Sequence, residues 1–250
     1  MEVKENSLNN NIICGRNSVL EAIRSGREID RLLVAHGVTG GSVTAIIAKC
    51  SERGILIKEV APQKLDFLCG NANHQGVAVM FSFQEYCSVD DILKVAADRN
   101  EKPFIIICDE IEDPHNLGAI IRSAEAAGAH GIIIPKRRSA SLNATVAKSA
   151  SGALEYMKVA RVTNIANEIE NLQKHGVWVF GADMDGKSYT DFDYDMPVAI
   201  VIGNEGKGIG RLVASKCDEI ISLPMKGKIN SLNASVAAGI LMYEIVRKRG

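Results

Sequence analysis

Short runs of mostly apolar residues alternate with helical patterns along the second half of this chain. The runs at Phe104–Cys108, Gly131–Ile134, Lys158–Arg161, Val177–Phe180, Val198–Ile202 and Glu219–Leu223 read as strands. Helices are expected from near Asn116, Asn143, Thr163, Gly208 and Ser231, with Asn116 as the N-cap of its own. Strands without an exposed polar face, each followed by a helix, predict an α/β fold with a mostly parallel sheet covered on both sides. The first half reads as a smaller α/β unit. Its strands are Arg31–Ala35, Ile55–Val60 and Val77–Phe81. One helix is capped by Asn17 or Ser18, another is capped by Ser42 and runs through Lys49, and a third is opened by Pro62. Ser88 and Asp91 predict a capping box for a helix reaching Asp98, which Asn100 and Pro103 break. The expected organisation is a polar tail (1–11), a small domain (12–82), a linker carrying a helix (83–102) and a larger domain (103–250).

Composition narrows the classes. At 46% hydrophobic and 24% charged residues, the 250-residue chain is ordinary for a soluble α/β protein. No apolar run approaches the roughly 20 residues that span a bilayer, and the polar start is not a signal peptide. Six scattered cysteines without a Cys-x-x-Cys pair are expected to be reduced packing residues in a cytoplasmic protein, with no metal site. A formal charge of −1 gives no sign of nucleic-acid binding but does not exclude it, because local patches decide.

The candidate chemistry sits in loops. Val198–Ile202 flows into Gly203-Asn-Glu-Gly-Lys-Gly-Ile-Gly210. This is neither a Walker A loop nor a G-x-G-x-x-G fingerprint, and Glu205 would repel phosphates. A ligand bound through adenosine and a non-phosphate tail fits better, against the simple alternative of a glycine-rich connection. Asp113-Pro-His-Asn116-Leu-Gly118 leads to Arg122, which either pairs with Glu125 or meets a substrate across space cleared by Gly118. His115 is a candidate base or a solvated side chain, and Lys136-Arg137-Arg138 a phosphate contact or a solvated loop. Ser231, Asn233 and Ser235 offer more polar groups than one helix cap needs. Ser141-Leu-Asn-Ala-Thr-Val-Ala147 echoes Ser231-Leu-Asn-Ala-Ser-Val-Ala237, which is either a shared capping solution or a paired function.

Together these stretches resemble the SpoU (TrmH-type) RNA ribose 2′-O-methyltransferases of the SPOUT superfamily. The matching motifs are Asn116–Arg122, Val201–Gly208, and Leu223–Gly227 with Ser231–Ala237. Residues 12–82 resemble the family's substrate-binding domain of ribosomal-protein-L30e type, and the subgroup resembled methylates a guanosine in 23S rRNA. The resemblance implies S-adenosylmethionine as cofactor, RNA as partner, a homodimer and a deep trefoil knot near the C-terminus. It implies cofactor contacts from Gly181, Gly203, Leu223 and Leu232. It places Asn116, Arg122, Glu205, Ser231 and Asn233 at the catalytic site, with Arg122 reaching the cofactor of the partner subunit. Gly181 is placed only as the residue that follows a strand.

Because guanidinium holds its proton far above neutral pH, Arg122 is expected to act as a fixed cation, oriented by Asn116. Proton removal is left open among water, Glu205 and a phosphate oxygen. A tRNA guanosine is the alternative target. A non-catalytic RNA-binding assembly factor would lack Arg122 or the third motif, and a nicotinamide-dependent oxidoreductase would need the glycine fingerprint.

Overall fold

The computed structural model describes residues 11–229 and 231–250, so most of the expected polar tail lies outside the described residues. The chain divides into two compact units between Glu85 and Tyr86.

The first unit runs β1 (Ile12–Cys14), α1 (Arg16–Arg24), β2 (Ile29–Ala35), α2 (Gly41–Glu52), β3 (Leu56–Val60), α3 (Pro62–Leu68) and β4 (Val77–Phe81). Its sheet has the order β1-β4-β2-β3, with β2 and β3 parallel and the other pairs antiparallel. Leu32 and Val34 pack beneath α1 and α2, while Leu33 and Ala35 face α3, the two-residue alternation of a strand covered on both sides. Two caps differ from expectation. Gly15 (φ 91°) precedes α1 and Gly40 precedes α2, so Asn17, Ser18 and Ser42 lie inside the first turns.

The cysteines also differ. Cys14 and Cys69 form a disulfide, with α-carbons 6.2 Å apart, whereas Cys50, Cys87, Cys108 and Cys217 are free. The partners lie 55 residues apart and meet only because the ends of β1 and α3 share one side of the sheet. No local spacing announces such a pair. Closing a loop of 55 residues contributes about 4 kcal/mol by the chain-entropy relation. Reductant is therefore expected to lower the unfolding midpoint of the first unit, and Cys14→Ser to reproduce the reduced value. Melting indifferent to reductant would contradict the pairing.

The second unit contains α4 (Val89–Asp98), β5 (Phe104–Cys108), α5 (Pro114–Ala126), β6 (Gly131–Pro135), α6 (Ala144–Ala150), β7 (Lys158–Val162) and α7 (Ile165–Lys174). It continues through β8 (Trp178–Ser188), β9 (Val198–Ile202), α8 (Arg211–Ala214), β10 (Glu219–Ser222) and α9 (Ala234–Arg249). All six strands are parallel, in the order β10-β8-β9-β5-β6-β7. Alternate residues serve the two faces. Ile106 and Ile200 pack with Leu117, Leu241 and Met242 from α5 and α9, and Ile105 and Ile107 pack with Ile92, Ile169 and Val213 from α4, α7 and α8. The helix expected within a linker thus contributes Val89 and Ile92 to this core. Its capping box is present: Asp91 N–H donates to Ser88 Oγ (3.1 Å) and Ser88 N–H to Asp91 Oδ2 (2.9 Å).

β8 extends well beyond its expected end at Phe180. Its polar second half pairs with β10 across a bulge, so burial was not there to signal it. The far end of α9 is secured by Arg249, which donates to Lys102 O (3.1 Å), Pro103 O (3.1 Å), Tyr194 O (3.2 Å) and Met196 O (2.6 Å). Those bonds tie the last helix to the segments that lead into β5 and β9.

Candidate active site

Three chain segments that follow or continue strands β8, β9 and β10 enclose a cavity of about 520 Å³ with the start of α9. Such crevices beyond the carboxyl ends of parallel strands are where α/β sheets bind ligands. Gly203, Leu223, Ser231 and Leu232 line it, together with Asp183 and Glu205. Gly181 does not. It lies just before the lining residue Ala182, and an added β-carbon there would press on Ile220, Cys217 and Ile209. Its absent side chain serves packing of β8 against β10.

The loop from Gly203 to Gly210 folds back on itself. Asn204 and Gly208 exchange two backbone hydrogen bonds (3.0 and 2.8 Å), and Gly206 N–H donates to Asn204 Oδ1 (2.9 Å). A β-carbon at Gly203 would come within 2.2 Å of the Gly208 carbonyl carbon, so only glycine permits this return. The loop is also held from outside. Asn204 Nδ2 donates to Glu110 O (3.1 Å), and Gly210 N–H donates to Asp109 Oδ2 (2.8 Å).

Three expected site residues meet directly. Glu205 Oε1 accepts from Asn116 Nδ2 (2.8 Å), from Asn233 Nδ2 and from Ala234 N–H (3.3 Å), and Asn233 Nδ2 also approaches Asn116 Oδ1 (2.9 Å). Asn116 can do this because it is not the cap of α5. Asp113 caps that helix by accepting from His115 N–H (2.8 Å), with Pro114 next, which draws Asn116 into the buried first turn. Asn233 does cap α9, its Oδ1 accepting from Ser235 N–H (3.0 Å) and Val236 N–H (3.3 Å). Asn143 caps α6 in the same way, so the echoed heptapeptide is a shared capping solution. Only the second copy also donates to Glu205.

Arg122 stands apart from this cluster. It is exposed on α5, does not line the cavity, and donates to Ser151 Oγ at 3.4 Å. Six residues separate it from Asn116, a rotation of about 240° along the helix, so Asn116 orients Glu205 and Asn233 rather than Arg122. Gly118 likewise clears no path for a substrate. A β-carbon there would lie 2.4 Å from Ser149 Cβ and 2.8 Å from Val146 O, so this glycine lets α5 and α6 touch. His115 Nδ1 lies 3.2 Å from Ser149 Oγ across the same contact. Of the basic run, Arg138 pairs with Glu110 (2.8 Å).

Asp109, Asn204 and Asp183 were not singled out from sequence. Asp109 is the first charged residue after the apolar run of β5, and its position at a strand's carboxyl end was the available signal. Burial raises its carboxyl above the ordinary range, and the Gly210 N–H bond opposes that rise.

A separate small α/β unit, joined to a parallel sheet with a glycine-loop cavity beyond its strand ends, defines a two-part, ligand-binding α/β protein. Comparison with known sequences makes the class specific. The chain belongs to the SpoU rRNA methylase family, whose sequence profile matches residues 103–243. A second profile, for RNA 2′-O ribose methyltransferase substrate binding, matches residues 12–87. A Bacillus subtilis chain named YacO, described as a TrmH family tRNA/rRNA methyltransferase, is 49% identical over 238 residues, 95% of each chain. Among solved structures, an AdoMet-bound rRNA methyltransferase from Sinorhizobium meliloti is 27% identical with a TM-score of 0.58, over 95% of this chain and 87% of that one. The AdoMet complex of AviRb, a SpoU methyltransferase from Streptomyces viridochromogenes, is 25% identical with a TM-score of 0.59, over 97% and 96%. The activity class is RNA ribose 2′-O-methyl transfer.

Proposed function

We propose that this protein uses S-adenosylmethionine to methylate a guanosine ribose in 23S rRNA. The observation that carries the cofactor reading is the cavity. Its size lies in the range of small-molecule sites, its walls are largely apolar, and the glycine loop forms one of them. Glu205 in that loop disfavours a polyphosphate, and two structural relatives were crystallised with AdoMet. Bound there, the sulfonium supplies an electrophilic methyl group. In this reading Gly203, Leu223 and Leu232 hold the cofactor, Asn116, Glu205 and Asn233 fix the loop, and Ser231 faces the reacting centre. Gly181 supports the cavity from behind.

The protein works as a homodimer in this reading. Val236, Ile240 and Tyr243 form an exposed apolar stripe on α9, and Arg122 is exposed and does not line its own cavity, as expected of a residue serving the partner's site. A trefoil knot formed by the chain after β8 and work in the cytoplasm, where ribosomal RNA resides, complete the proposal. Residues 12–82 select the RNA, and unstacked loop nucleotides are the expected target because they expose ribose hydroxyls. A tRNA guanosine is the competing target, since the Bacillus relative's description names both RNA types.

Calorimetry on the full chain separates the readings. S-adenosylmethionine is expected to bind with saturable heat while NAD gives none. Binding of NAD alone, or of neither compound, overturns the cofactor assignment.

A further inference from the structure

The loop that lines the cavity has two feet, Ile202 at the end of β9 and Gly210 before α8. One residue holds both. Asp109 N–H donates to Ile202 O at 2.8 Å, and Asp109 Oδ2 accepts from Gly210 N–H at 2.8 Å. Asp109 is buried, with 6% of its surface exposed. Burial opposes keeping a carboxylate there, and among the described residues no lysine or arginine is one of the groups that act on it. What the loop needs at this position is an acceptor at that place, and Asp109 Oδ2 supplies it to the Gly210 N–H.

The adjoining chain reinforces this grip. Glu110 O takes Asn204 Nδ2 at 3.1 Å, and Asn116, further along the same segment, holds Glu205 at 2.8 Å. The stretch from Asp109 to Asn116 therefore grasps the loop at both feet and twice along its length. That stretch runs directly into α5, which carries Arg122.

We infer that Asp109 is a positioning residue for methyl-donor binding: it closes the base of the Gly203–Gly210 loop so that the loop's backbone groups face the donor in one geometry. The inference rests on reading the cavity as the S-adenosylmethionine site. Its effect belongs to the donor rather than to RNA, because Asp109 is buried beneath the loop. Loss of the clamp lets the loop sample arrangements that do not bind, and apparent affinity falls with the competent fraction.

The test is calorimetric titration of the full-length protein with S-adenosylmethionine well below its melting temperature, with steady-state kinetics alongside. Wild type must bind; if it does not, the cofactor reading has failed and not the clamp. Asp109→Ala is expected to raise the donor Kd and KM by about tenfold, the loss of one hydrogen bond to a charged group, with the KM for RNA unchanged. Asp109→Asn keeps an acceptor and is expected to recover most of that loss. A residue that only stabilised the sheet would lower the melting temperature of the alanine variant while leaving donor affinity intact. Should Asp109→Ala fail to fold, Gly210→Pro breaks the same bond from the other side, at a φ of −57° that proline accepts but with its ring carbon displacing the Asp109 carboxylate, and must weaken donor binding alike. Unchanged donor affinity in a folded Asp109→Ala or Gly210→Pro protein overturns the inference.

Discussion

Replacing Arg122 with alanine is expected to lower methyl transfer by about 10²–10³-fold, the usual cost of losing one group that stabilises a developing oxyanion. Donor affinity should stay within about twofold, because the interaction assigned to Arg122 is made with the RNA and strengthens in the transition state rather than on donor binding. The proposed role is that of a fixed cation at the RNA phosphate and the departing hydroxyl proton's oxygen. Arg122→Lys keeps the charge but loses the planar fork, so weak residual activity is expected at every pH. If arginine acted instead as the base, the lysine variant would gain activity as pH rose toward its own lower pKa. A rate–pH profile of Arg122→Lys at saturating RNA and donor distinguishes the two. Near-wild-type turnover at high pH, with wild type flat over the same range, would sink the fixed-cation reading.

The second large effect is expected at Glu205. Its Oε1 already accepts from Asn116, Asn233 and the Ala234 backbone, so it binds the cofactor loop to the starts of α5 and α9. Glu205→Ala leaves these donors without their acceptor and is expected to weaken donor binding by about 10–100-fold, given 1.5–3 kcal/mol for a hydrogen bond to a charged group. Glu205→Gln retains a carbonyl oxygen in the same place and should keep most of the turnover. That pattern would leave proton removal to water or a phosphate oxygen. A glutamine variant that binds the donor normally yet turns over about a hundredfold more slowly would instead make Glu205 the proton acceptor.

Much of the fold was legible because buried parallel strands write themselves as apolar runs. Phe104–Cys108 and Val198–Ile202 appear in the structure with the bounds read from sequence. The second half of β8 was not legible, since Asp183 to Ser188 are mostly polar, none of them is buried, and they pair with β10 across a bulge. Caps were misread where several candidates adjoin. Asp113-Pro-His-Asn offers two cap residues, and the proline at the first helical position decides for Asp113. The same shift of one turn moved Asn116 from a surface cap to a buried partner of Glu205.

The candidate site was legible as loops but not as contacts. Gly203, Leu223, Ser231 and Leu232 lie on one cavity because loops at neighbouring strand ends converge. The sequence suggests that Gly118 makes room for a substrate, and it makes room for α6 instead, a choice that depends on which element packs opposite. The contacts of Asp109 with Gly210 and of Cys14 with Cys69 are announced by no local spacing, because the partners lie 101 and 55 residues apart.

The most direct measurement of the central claim is the chemical form of the transferred methyl group. Purified protein is incubated with 23S rRNA and methyl-labelled S-adenosylmethionine, and the RNA is then hydrolysed in alkali. Alkaline cleavage needs a free 2′-oxygen, so a methylated ribose protects its neighbouring phosphodiester. The account predicts label in an alkali-resistant dinucleotide that begins with guanosine. Label confined to mononucleotides, which marks a methylated base, or no label in any RNA offered, would contradict it.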